Sequence, residues 1–90
     1  MTAQAVVRIK NKQGLHARPV SRFVQVVASF KASATVRGPD GTVADGASIF
    51  SMMTLAAGPG TELVLETAGE EEQALLSALI KLVGEGFGEE

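Results

Sequence analysis

The 90-residue chain is 46% hydrophobic, carries a net charge of −2 and contains no cysteine. This leaves room for one core and a single domain over residues 1–90, is too apolar for a disordered chain, and excludes disulfides and thiol chemistry. No apolar run approaches the roughly 20 residues that cross a bilayer, and Met1-Thr2-Ala3-Gln4 opens no secretory signal, so a cytoplasmic location without membrane insertion is expected.

Ala5-Val6-Val7-Arg8-Ile9-Lys10 alternates as a strand does, with Val7 and Ile9 inward and Arg8 and Lys10 outward. After the loop Asn11-Lys12-Gln13-Gly14, apolar residues recur at Val20, Phe23, Val24, Val27 and Ala28, the single face of a helix. Pro19 fits the first turn of that helix, where its missing N–H costs nothing. Ala32 to Arg37 reads as a second strand with Ala34 and Val36 on one side. Gly38-Pro39-Asp40-Gly41 is a turn, across which Thr42-Val43-Ala44 pairs back as a hairpin.

Ser48 is placed to cap a second helix running to about Ala56, ended by Gly58-Pro59-Gly60. Ile49, Phe50, Met52, Met53, Leu55 and Ala56 make this helix apolar nearly all round. Either it is deeply buried, or Met52, Leu55 and Ala56 face inward and Ile49, Phe50 and Met53 face water or a partner. Thr61 to Thr67 is the last strand, with Leu63 and Leu65 toward the core. A final helix begins near Glu70-Glu71-Glu72, acids suited to a positive helix end, and carries the stripe Leu75, Ala78, Leu79, Leu82 and Val83. The glycine-rich stretch from Gly84 to Glu90 reads as a frayed tail.

The order β-α-β-β-α-β-α belongs to the α/β (α+β) class. Three amphipathic helices cover one face of a sheet, which predicts an open-faced β-sandwich. A ferredoxin-like βαββαβ domain shares most of this pattern, and secondary structure alone does not separate the two.

Charge is divided unevenly. Residues 8 to 37 hold seven cations and no acid, while from residue 40 onward stand all ten acids and Lys81 alone among the cations. A basic half attracts an anionic group and steers an acidic partner. Nucleic acid is the poorer reading, because stacking aromatics are nearly absent and the acidic half repels phosphates.

The only histidine, His16, lies directly before the first helix, where unpaired backbone N–H groups and a partial positive charge hold anions. It is the one strong nucleophile available at neutral pH. A ring nitrogen there can take a phosphoryl group, whose oxygens the Ala17 N–H and the Arg18 guanidinium can hold. Position alone does not separate this role from that of a helix cap. One histidine without a histidine or cysteine neighbour lacks the usual zinc ligand set, so neither metal nor cofactor is expected.

Gly14-Leu15-His16-Ala17-Arg18-Pro19, preceded by a strand and followed by Phe23 and Val24, resembles the phosphorylation segment of HPr, the phosphocarrier family of the bacterial phosphotransferase system. The resemblance continues through Gly46-Ala47-Ser48-Ile49-Phe50-Ser51-Met52-Met53-Thr54-Leu55, Gly60-Thr61 and the final helix. It implies a four-stranded antiparallel sheet covered on one face by three helices. It also implies a carrier, not a stand-alone enzyme, that takes phosphate on His16 Nδ1 from Enzyme I and passes it to an Enzyme IIA-type histidine. Arg18 then belongs to the site, Ser48 matches a regulatory serine addressed by HPr kinase/phosphorylase, and the partner surface comprises Ile49, Phe50, Met53 and Arg22. Ala47 departs from the lysine common before that serine. Gly46-Ala47-Ser48, Met52-Met53 and Gly86-Phe87-Gly88-Glu89 resemble the nitrogen-related branch of the family. A monomer is expected. The rival readings are a ferredoxin-like regulatory or ligand-binding domain and a non-phosphorylated adaptor.

Overall fold

The computed structural model describes residues 2–89. Its elements run β1 (Thr2–Arg8), α1 (Ala17–Ala28), β2 (Ser33–Arg37), β3 (Val43–Asp45), α2 (Ile49–Met53), β4 (Glu62–Ala68) and α3 (Glu72–Gly84), followed by a 3₁₀ turn at Gly86–Gly88. The four strands form one sheet in the order β1-β4-β2-β3, antiparallel throughout. A ferredoxin-like sheet has β1 and β3 at its centre; here they are the two edges, and β4 and β2 are central.

Alternation along the strands divides the sheet into two faces. Ala3, Val7, Ile9, Ala34, Val36, Ala44, Leu63 and Leu65 point to the helix side and are buried. On the other side Arg8 pairs with Glu62 at 2.6 Å, Gln4 donates to Glu66 at 3.2 Å, and Val6 is exposed. Thr67, the polar residue in the inward row, donates its hydroxyl to the Glu72 carbonyl at 2.8 Å, so its burial leaves no unmade bond. Phe23, Val20 and Val27 of α1 and Leu75, Leu76, Leu79 and Val83 of α3 complete the core.

Several boundaries differ from the sequence expectation. The first strand starts at Thr2 and ends at Arg8, because pairing with β4 runs from Thr2↔Ala68 to Arg8↔Glu62. Ala28 is exposed, since α1 has turned its core face away by its last residue. Helix α2 ends at Met53 instead of continuing to Ala56. Ala56, expected inward, is exposed at φ 48°, where the chain leaves the helix. The departure has a cause: the Ala57 carbonyl must accept from Leu15 N–H at 2.8 Å, and Gly60 N–H must reach Ile9 O at 2.8 Å.

The largest difference is at the C-terminal side of α3. Residues 84 to 89 are an ordered strap, with Phe87 fully buried at φ 59°; Glu90 lies outside the described residues. A left-handed non-glycine residue costs about 1–2 kcal/mol. Burying a phenylalanine contributes about 1.5–3 kcal/mol, so the hydrophobic term holds the turn closed.

Candidate functional site

The loop before α1 is shaped by Gly14. At φ 66° it occupies left-handed space, and a Cβ there would collide with the Ala57 carbonyl and sit 2.8 Å from Gly58 Cα. Asn11, 3% exposed, braces the loop by donating Nδ2 to Gly14 O at 2.7 Å. His16 follows as an extended N-cap, φ −102° and ψ −172°, whose side chain makes no capping bond and is therefore free for other work. Its carbonyl accepts from Val20 N–H at 3.1 Å, closing the first turn. Ala17 and Arg18 are the first helical residues, whose N–H groups have no acceptor within the helix, and Pro19 needs none.

His16, Arg18 and Arg22 line one cleft of about 450 Å³ with Lys12, Gln13, Gly88 and Glu89. The structure thus brings together the predicted acceptor, its arginine and Arg22. Arg22 is less free than expected: Nη1 donates to Phe87 O at 2.6 Å and so ties the strap to α1. Three cations against one carboxylate make the cleft suited to an oxyanion.

Glu89 was not legible as a site residue. Its Oε1 lies 3.1 Å from His16 Nε2 and accepts from Asn11 Nδ2 at 3.0 Å. The hydrogen bond from His16 holds the Glu89 carboxyl below the usual carboxylate range against desolvation, helped by the Asn11 bond and the nearby Arg18 charge. Because the folded value is lowered, this carboxylate's contribution is complete above its ordinary value of 4.5 and is lost as pH falls through the lowered one. Acid titration should therefore loosen the strap with a midpoint below 4.5, read from the amide shifts of Phe87 and Gly88. Unmoved amides would show that the carboxylate does not hold it.

Ser48, Ile49, Phe50 and Met53 are not in this cleft. They lie on α2, which packs against α1 and β3. Ser48 caps α2 as expected, accepting from Ser51 N–H at 3.1 Å. Ile49, Phe50 and Met53 are exposed, Phe50 at 89%, while Met52 is buried; the helix is not submerged. Replacing Phe50 by Ser should therefore change stability by less than about 0.5 kcal/mol, the usual range for a surface substitution. A thermal melt checks this, and a loss of several kcal/mol would place the ring in the core.

A family model described as the PTS HPr component phosphorylation site matches residues 3–85. The phosphocarrier protein HPr of Pseudomonas aeruginosa is 45% identical over 84 residues, covering 92% of each chain. The phosphocarrier protein NPr of Escherichia coli K12 is 33% identical over the full length of both. A crystal structure of HPr from Thermoanaerobacter tengcongensis superposes with a TM-score of 0.91 at 35% identity, covering 98% of each chain.

Proposed function

The chain belongs to the HPr family of phosphocarriers of the phosphotransferase system, and we propose that His16 is the residue that carries the phosphoryl group. The observation behind this reading is the half-buried imidazole at the N-cap of α1, with no capping duty, opening into a cleft with Lys12, Arg18 and Arg22. Phosphoryl transfer asks little covalent chemistry of a protein; it needs an aligned nucleophile and neutralised oxygens. The Ala17 and Arg18 N–H groups and the Arg18 guanidinium supply the second requirement beside the first.

The family implies phosphotransferase-system partners such as Enzyme I and IIA proteins. For this chain, working in the cytoplasm, Enzyme I is the donor and an Enzyme IIA-type histidine the acceptor. The docking surface is Ile49, Phe50 and Met53, an adaptable apolar patch suited to more than one partner, with Arg22 at the cleft edge. Incubation with phosphoenolpyruvate and Enzyme I should place one acid-labile, alkali-stable phosphate on His16. Phosphate on any other residue would sink the assignment.

Ser48 is the regulatory position, where an HPr kinase/phosphorylase would act. An aspartate there can still accept from Ser51 N–H, so Ser48→Asp should melt within about 4 °C of the wild type, a change of less than about 0.5 kcal/mol. The same charge stands beside Ile49 and Phe50, where docking must desolvate it. Transfer from Enzyme I should slow through weaker association; paired melts and transfer kinetics check both halves, and unchanged transfer would leave Ser48 a cap only.

A further inference from the structure

We propose that Glu89 is a positioning residue that holds the His16 ring with Nε2 protonated, leaving Nδ1 as the nitrogen that attacks phosphorus. The proposal rests on His16 being the acceptor and adds what selects between its two ring nitrogens. It comes from a convergence at one atom. Glu89 Oε1 takes both Asn11 Nδ2, at 3.0 Å, and His16 Nε2, at 3.1 Å. An ionised carboxylate only accepts hydrogen bonds, so Nε2 must donate and the lone pair of the neutral ring resides on Nδ1.

The carboxylate is delivered to this point by a built support. Gly86, Phe87 and Gly88 all have positive φ, a run that folds the chain back toward α1. Phe87 anchors it in the core, and its carbonyl is gripped by Arg22 Nη1 at 2.6 Å. At Gly88 a Cβ would stand 2.7 Å from that same Nη1, so the strap lies tightly against the arginine. From the other side Asn11 is fixed by its second bond, to Gly14 O, on the loop that leads into His16. Loop, helix and strap thereby meet at the imidazole, and Glu89 itself is largely shielded, its side chain 16% exposed.

The chemistry follows. The Nδ1 lone pair forms the new N–P bond as the donor phosphohistidine's N–P bond breaks, the departing nitrogen keeping its electron pair. His16 then bears phosphorus on Nδ1 and hydrogen on Nε2, and its ring is positively charged. Glu89 balances that charge without taking the proton, as a buried carboxylate does for a catalytic imidazolium. Onward transfer returns the pair to Nδ1 and restores the same tautomer, so no proton need move in either direction.

The test uses the full chain with ¹⁵N-labelled histidine and compares wild type, Glu89→Ala and Glu89→Gln. Wild type should show Nε2–H with an unprotonated Nδ1. Glu89→Gln should keep this pattern, because Asn11 fixes the amide oxygen as the shared acceptor, and Glu89→Ala should show a mixture of tautomers. Acceptance of phosphate from Enzyme I should fall roughly tenfold in Glu89→Ala, the scale of losing a group that orients a functional histidine, with Glu89→Gln between. Wild-type ring spectra in Glu89→Ala, or a slower rate without a tautomer change, would overturn the proposal. If wild-type His16 takes no phosphate, it is the acceptor reading that fails, while the ring spectra still decide whether Glu89 sets the tautomer.

Discussion

His16→Ala should keep its fold and take no phosphoryl group from Enzyme I. The side chain is one-third exposed and makes no capping bond, so its removal strips α1 of no hydrogen bond that the first turn needs. The turn is closed by the His16 carbonyl, which alanine retains. Stability should therefore change by less than about 1 kcal/mol, against the 0.5–2 kcal/mol that losing a true side-chain cap costs. Phosphate acceptance should vanish entirely, since the chain holds no other histidine and no cysteine. Arg18→Ala should behave differently, retaining acceptance at a rate lower by about 10²-fold, because it removes charge stabilisation and leaves the nucleophile. Intact-mass detection of acid-labile phosphate, with thermal melts of each variant, separates these outcomes. Normal labelling of His16→Ala would end the carrier assignment for this residue.

Phe87→Ala should be the most damaging single change in the strap that follows α3. The ring is fully buried, and truncating a phenylalanine in such a site costs about 3–5 kcal/mol. Relief of the left-handed backbone offsets little, because alanine at φ 59° is itself strained. For a chain of this size each kcal/mol moves the melting temperature by about 4–8 °C, so a fall of 12 °C or more is expected. The Phe87 carbonyl should also leave Arg22, and Glu89 should leave His16, visible as changed shifts at both residues. A melting temperature within about 3 °C of the wild type would return this stretch to the frayed tail that its composition suggests.

That contrast marks what the sequence can and cannot disclose. The segment from Gly14 to Pro19 carries its meaning locally: a glycine needed for a left-handed turn, a histidine before a helix, a proline in its first turn. Helix faces and strand alternation were readable for the same reason, being fixed by spacings of two to four residues. Asn11, Phe87 and Glu89 act across distance. Asn11 and His16 reach Glu89 over 78 and 73 positions, and no local pattern distinguishes such a pair from two surface residues. The overlong second helix has the same origin. Met53 to Ala56 have helical propensity enough to continue, but the Ala57 carbonyl is claimed by Leu15 from another part of the chain.

The span between His16 and Glu89 also bears on when the cleft exists. Closing a contact across 73 residues is entropically unfavourable until the sheet has brought the ends near, and among the described residues β1 pairs with β4, some sixty residues away. A topology rich in such distant pairings folds more slowly than one built from neighbours. Partly folded forms can therefore contain a helix beginning at Ala17 and still lack the wall that Gly88 and Glu89 supply. A chain that has not yet closed its sheet therefore lacks the complete cleft, whichever local helices it has formed.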